Sequence, residues 1–239
     1  MPQLEWNKSV WNGSYSWANA GEVWSEPWGS SEAQWFGSLH PRIHRFLPAK
    51  RILEIAPGFG RWTRFLIPSC EEFKGVDLSS KCIEACKARF PNHSGDFHHN
   101  DGLDLGAAAG QYDFIFSFDS LVHADIEVFE SYVPQILSKL TKDGVAFIHH
   151  SNLPASGSLK ENIHVRSQNV DADKVADLVI KFGGSVLVQE KINWRGGPEL
   201  IDCLTTFSRQ RDQPAIRFDN PHFMTEAQII KDFHSRYQW

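Results

Sequence analysis

At 239 residues, with 41% hydrophobic and 22% charged positions, the chain is long enough to bury a substantial core and falls outside disordered and membrane-embedded compositions. Lys plus Arg number 24 against 29 Asp plus Glu, and the formal net charge of −5 excludes a broad basic footprint for nucleic acid or anionic lipid. No apolar run approaches the roughly 18 residues that a spanning helix needs, and Met1-Pro2-Gln3-Leu4-Glu5 lacks the basic and apolar parts of a secretion signal. We therefore expect no membrane insertion, no nucleic-acid partner and a cytoplasmic location.

Six of the nine Trp (Trp6, Trp11, Trp17, Trp24, Trp28 and Trp35) crowd the start of the chain, among many Ser, Asn and Gly. Residues 1–49 read as a Trp-rich N-terminal cap or lid, helical only from about 31 to 46. From 50 to 208, short apolar runs alternate with longer helical patterns, as β/α units around a parallel sheet require. Strands are expected at 51–56, 73–77, 94–99, 112–118 and 144–150, and helices at 61–69, 79–90, 126–140 and 171–182. Runs 185–192 and 200–207 are separated only by Asn193-Trp-Arg-Gly-Gly-Pro198, too short for a crossover, so they form an antiparallel hairpin. The fold class is α/β and Rossmann-like, a mostly parallel seven-stranded sheet ending in that hairpin, with helices on both faces. Residues 209–239 are a linker and a terminal helix from Thr225, its N-cap, to Tyr237. Cys70, Cys82, Cys86 and Cys203 contain no CxxC and read as free thiols.

The first strand runs into Ala56-Pro57-Gly58-Phe59-Gly60 and then a helix, which lets a ligand approach the backbone above the strand ends. Glu54 precedes the loop, and Asp77 ends the next strand, where a carboxylate can accept ribose hydroxyls. Gly58-Phe-Gly60-Arg-Trp-Thr63 places Thr where a dinucleotide fingerprint needs a small third residue, which argues against NAD. These features resemble the first motif of the class I S-adenosylmethionine-dependent methyltransferases, with Ala56 in place of its first Gly, over roughly residues 50 to 208. The resemblance implies S-adenosylmethionine as cofactor: Glu54 beside its amino-acid end, Ala56, Gly58 and Gly60 as its cradle, and Asp77 on the ribose. It also implies Asn100, Asp101 and Gly102 at the adenine and Phe118 beside the methionine portion. Phe116-Ser-Phe-Asp-Ser-Leu-Val-His123 and Phe147-Ile-His-His-Ser-Asn152 further look like bacterial sugar and polysaccharide O-methyltransferases.

That likeness implies a hydroxyl acceptor on a small-molecule saccharide, oligosaccharide or glycoside. Deprotonating a sugar hydroxyl about six units above pH 7 costs about 8 kcal/mol, so a base or a metal must share the load. Candidate bases at the carboxyl ends of the fourth and fifth strands are Asp119, His123, His149 and His150, with at most one of the adjacent histidines facing the crevice. A divalent metal such as Mg²⁺ would draw on Asp119, His150 and Asp202, with Asn152 nearby, although a histidine nitrogen suits Mg²⁺ poorly. The alternatives are N-methylation of a small amine or amino sugar, and a non-catalytic cofactor-binding subunit, in which Asp119, His149 and His150 would lie off the pocket. A homo-oligomer stays open.

Overall fold

The computed structural model describes residues 4–157, 165–194 and 197–237, without the side chain of Ser14. Arg195 and Gly196 of the hairpin linker lie outside the described residues.

Eight strands make one sheet: β1 (Ala49–Ile55), β2 (Cys70–Asp77), β3 (Phe97–His99), β4 (Tyr112–Ser117), β5 (Leu140–Ser151), β6 (Gly184–Ile192), β7 (Asp202–Arg209) and β8 (Ile216–Asn220). Their order is β3-β2-β1-β4-β5-β7-β6-β8. Only β7 runs against its neighbours, β5 and β6, so the hairpin forms as expected. The eighth strand lies in a stretch expected to be linker and helix. Ile216-Arg-Phe-Asp-Asn220 is short and largely exposed, and it pairs in parallel with β6, from Val188↔Ile216 to Ile192↔Asn220, without any sequence period of its own. The order reverses between β1 and β4, and a crevice opens above their carboxyl ends, where α/β sheets bind ligands.

The helices before the core are α1 (Leu4–Ser9), α2 (Ser31–Gln34) and α3 (His40–Ile43); those within it are α4 (Thr63–Leu66), α5 (Ser80–Arg89), α6 (Ile126–Lys139) and α7 (Ala172–Lys181), and α8 (Phe223–His234) follows. Ser79 and Asp171 cap α5 and α7 by accepting the N–H of Cys82 and of Lys174. The helix expected over 61–69 is shorter, because Pro68 tightens its end into a 3₁₀ turn over Ile67–Ser69. Thr225 lies inside α8 rather than capping it: Asn220 and Asn193 side chains accept the N–H groups of His222 and Met224, so the helix starts earlier.

Strand alternation divides the core. Leu53, Ile115, Ala146 and Ile148 face α6 and α7, whereas Ile52, Phe114, Phe116 and Phe147 face the opposite layer. Trp28, Trp35, Leu39 and Ile43 from the start of the chain, with Phe223 and Ala227 of α8, build that second layer. Residues 28–46 are thus structural filling for one sheet face. Arg42 fastens the layer, with its guanidinium 2.7 Å from Glu190 of β6 and 2.9 Å from Glu226 of α8.

Trp28 has no exposed surface, donates its indole N–H to Ser38 at 2.8 Å, and packs on Trp194 and Phe223. Trp28→Ala should lower stability by about 3–5 kcal/mol, read as a fall in the urea midpoint at unchanged slope.

Candidate active site

A cleft opens at the carboxyl ends of β1, β2 and β4. Its floor is the loop after β1. Ala56 and Gly58 both adopt left-handed backbone (φ 58° and 59°), and the Gly58 N–H donates to Asp77 Oδ2 at 3.0 Å. Asp77 Oδ1 accepts from Ser79 N at 2.8 Å, so each carboxylate oxygen keeps a lone pair for a ligand. Burial pushes Asp77 up to about 6, against the pull of those two N–H groups. A Cβ on Gly58 would come within 2.9 Å of the Trp17 ring above it. Gly60 serves packing instead, because a Cβ there would strike Phe90 at 2.5 Å.

Glu54 is buried below the loop and accepts from Thr63 Oγ1 at 2.5 Å. Burial, opposed by that hydrogen bond and reinforced by the Asp77 charge, raises it to about 8. Of the residues after β3, Gly102 reaches the cleft, while Asn100 supports it from behind by donating to the hydroxyl of Tyr132, a wall residue, at 3.0 Å. Asp101 is exposed and turned away, its carboxylate capping the turn through Leu103 N and Asp104 N at 2.8 Å. An Asn-Asp-Gly run serves such an Asx turn as readily as an adenine site.

Residues 118–121, 123 and 124 build another part of the wall. Phe118 and Asp119 line the cleft. Asp119 holds a left-handed backbone (φ 60°), its N–H donates to His149 Nδ1 at 3.1 Å, and its carboxylate receives Arg61 at 2.6 Å. Neither histidine of the adjacent pair is on the wall. His149 lies behind Phe118, ring centroids 4.6 Å apart, with Nε2 3.1 Å from Asp202 Oδ2 but off the hydrogen-bond line. His150, on the opposite face of β5, bonds Thr205 Oγ1 at 2.7 Å and the Ser151 carbonyl at 2.8 Å; burial lowers it to about 4. Alternation along the strand separates them as expected, but Phe118 stands between His149 and the cleft, and His150 faces the other side of the sheet.

The expectation that Asp119, His150 and Asp202 gather a divalent cation is corrected. Asp202 is taken by Arg166 through contacts of 2.6 and 2.7 Å; burial alone would raise it, but the guanidinium and the His149 imidazole hold it far below the carboxylate range. His150 points to the other side of the sheet, and Asp119 pairs with Arg61. No group of three or more His, Cys, Asp and Glu among the described residues is arranged to hold a metal. Asn152 is likewise occupied, donating to the Leu200 carbonyl at 2.7 Å and accepting from Ala172 N at 3.0 Å.

The roof comes from the start of the chain: Leu4, Asn7, Trp11, Trp17 and Trp24 all line the cleft. Trp17 stacks on Phe59 at 4.6 Å, and its indole N–H is buried without a hydrogen-bond partner. Arg61, Ser120, His123 and Tyr132 complete the wall. Arg61 carried one local signal, its place directly after Gly60; no periodicity marks which Trp would turn inward.

Residues 52–144 match the family described as a methyltransferase domain. An S-adenosylmethionine-dependent methyltransferase from Clostridium acetobutylicum superposes with a TM-score of 0.60 at 12% identity, over 74% of this chain and 91% of that one. The glycopeptide N-methyltransferase MtfA, complexed with S-adenosylmethionine, gives 0.55 at 16%, over 73% and 87%. The N-methyltransferase NodS of Bradyrhizobium japonicum, with S-adenosylhomocysteine bound, gives 0.54 at 15%, over 71% and 84%. No curated protein sequence matches the chain significantly. The stretch from β1 into β5 is thus similar to a methyltransferase domain, and the fold is that of S-adenosylmethionine-dependent methyltransferases. Among the described residues, no helix is long and apolar enough to cross a membrane.

The buried acids set a pH dependence. Glu54 moves from 4.5 to about 8 and Asp77 from 3.8 to about 6, so the folded chain holds protons that the unfolded chain has released. The share of stability these two acids supply should fall as pH rises through that window, offset below about pH 6.5 by His123 and His150, which burial keeps neutral, so Glu54→Gln should flatten the decline in Tm between pH 6.5 and 8. Separately, Arg166→Met should cost about 3–5 kcal/mol by stranding the Asp202 charge, and adding Asp202→Leu should recover much of it in denaturant titration.

Proposed function

We propose that the protein transfers a methyl group from S-adenosylmethionine to a hydroxyl of a small saccharide or glycoside in the cytoplasm. The cleft fits the donor: Asp77 offers lone pairs to a vicinal diol, the left-handed Ala56 and Gly58 bring backbone close, and Leu78, Leu121 and Val128 supply an apolar wall for a base. S-adenosylmethionine, when bound, supplies an electrophilic methyl on a sulfonium. The protein's part is to align the acceptor, exclude water beneath the indole roof and remove a proton.

One observation carries the choice of acceptor. The Asp119 carboxylate, the acid on the acceptor wall, is already neutralised by Arg61 at 2.6 Å. An ammonium would meet the cation of this pair as well as its anion, whereas a neutral hydroxyl meets a polar, charge-balanced wall. The faces of Trp11, Trp17 and Trp24 suit the C–H faces of a sugar ring, and an unpartnered indole N–H suits a hydroxyl. MtfA and NodS are N-methyltransferases, which supports the second reading, an amine acceptor, as on an amino sugar.

Methyl-labelled donor incubated with saccharides, glycosides, amino sugars and small amines separates these readings. Label on a hydroxyl of a neutral sugar is the expected result; label on nitrogen selects the second reading, and binding without transfer selects a non-catalytic subunit. Asp77→Asn should weaken S-adenosylhomocysteine about tenfold or more in calorimetry, since a hydrogen bond to a charged acceptor is worth about 1.5–3 kcal/mol. Gly58→Val should bind still worse, because the added side chain meets Trp17 and the φ of 59° disfavours it.

A further inference from the structure

We propose that His123 is the residue that accepts the proton of the acceptor hydroxyl, through Nε2, and that the roof residues Asn7 and Trp11 hold it in place. This rests on the O-methylation reading above and names the group that completes it.

His123 lies on the cleft wall, in the short turn Leu121–His123 that follows Asp119 and Ser120. Its Nδ1 is 3.0 Å from the Val165 carbonyl. A carbonyl oxygen only accepts, so Nδ1 carries the ring proton and Nε2 keeps its lone pair. Nε2 has no protein partner among the described residues. The other titratable groups of the wall are committed or unsuited: Asp119 is paired with Arg61, Asp77 holds the Gly58 loop, Tyr132 is bonded by Asn100, and burial pushes the Cys82 thiol well up.

The backbone and ring of His123 are both held. Its N–H meets the Ser120 carbonyl at 3.3 Å, and its carbonyl accepts from Asn7 Nδ2 at 2.9 Å. The Trp11 ring lies 5.2 Å away, with its own N–H bonded to Asn7 Oδ1 at 2.9 Å. The docked roof thus adds Asn7 and Trp11 to the Ser120 and Val165 contacts that hold the base. Burial, helped by Arg166 and opposed by the Val165 hydrogen bond and by Asp119 and Asp202, brings the imidazole down to about 4. It is consequently neutral and competent throughout the physiological range.

A base this weak suits the chemistry. The acceptor oxygen attacks as a neutral hydroxyl; as the oxygen–carbon bond forms, the carbon–sulfur bond breaks and its electron pair leaves on sulfur. The oxygen turns toward an oxonium, its proton becomes strongly acidic, and it passes to Nε2 late in the step, giving a methyl ether, S-adenosylhomocysteine and an imidazolium. That proton then goes to water as the roof opens. An amine acceptor keeps its nucleophilic lone pair after losing an ordinary ammonium proton and needs no such late acceptor.

Two measurements on the full chain test this. Imidazole ¹⁵N NMR of the wild type should show His123 as the neutral Nδ1–H tautomer from pH 5.5 to 8, with and without S-adenosylhomocysteine; an Nε2–H tautomer or an imidazolium overturns the proposal without any acceptor in hand. His123→Asn keeps a donor for the Val165 carbonyl and removes Nε2. It should bind S-adenosylhomocysteine within about twofold of wild type while kcat on the methyl glycoside found by label transfer falls by about 10²–10⁴. Undiminished kcat in that variant overturns the role of His123. Failure of wild type to bind S-adenosylhomocysteine overturns the parent reading instead.

Discussion

Asp119 carries a Cβ yet holds a left-handed backbone, a conformation that costs of order 1–2 kcal/mol and persists only where its surroundings over-determine it. Here they do. His149 takes its N–H from below and Arg61 takes its carboxylate from the side. The next residue, Ser120, donates to the Ala56 carbonyl at 2.8 Å, and Ala56 is itself left-handed. Two strained turns, one at the end of β1 and one at the end of β4, are thus stapled across the crevice. Behind them the buried Arg166–Asp202 pair lies against His149, with Asp202 Oδ2 3.1 Å from Nε2, so a charge pair off the cleft surface backs the residue that supports its wall.

What the sequence made legible was local. Gly58 and Asp77 sit in a strand, a turn and a neighbouring strand end, and a few residues suffice to fix such an arrangement. The hairpin was legible because its linker is too short for a crossover. His149 and His150 show the boundary: alternation separates them correctly, but the inward one is covered by Phe118 from the end of β4, a contact across 31 residues that no nearby residue encodes. The metal set failed for the same reason, since Asp202 is committed by an arginine 36 positions away. Asp101 failed through degeneracy, its run being equally good chemistry for a turn.

The opening segment carries two tasks that composition could not separate. Trp28 and Trp35 are buried filling, whereas Trp11, Trp17 and Trp24 form the roof. Glu22 ties the segment to the core, receiving Arg89 at 2.9 Å and bonding Ser31. Of the inward Trp residues, Trp11 and Trp17 precede this tie and Trp24 follows it.

The roof is also made before the core it covers and is among the last parts able to settle. Asn7 meets its partner at a separation of 116 residues, and neither the turn it grips nor the Gly58 loop under Trp17 exists until β1, β2 and β4 have paired. Contacts so distant repay their loop-closure entropy only after the sheet is assembled. During synthesis the indoles are therefore left without their final partners while the core forms, exposed to whatever apolar surface is nearest. A chaperone that shields the first thirty residues would act on the period of greatest aggregation risk, and the burial of three indoles would mark, in fluorescence, the final step of maturation.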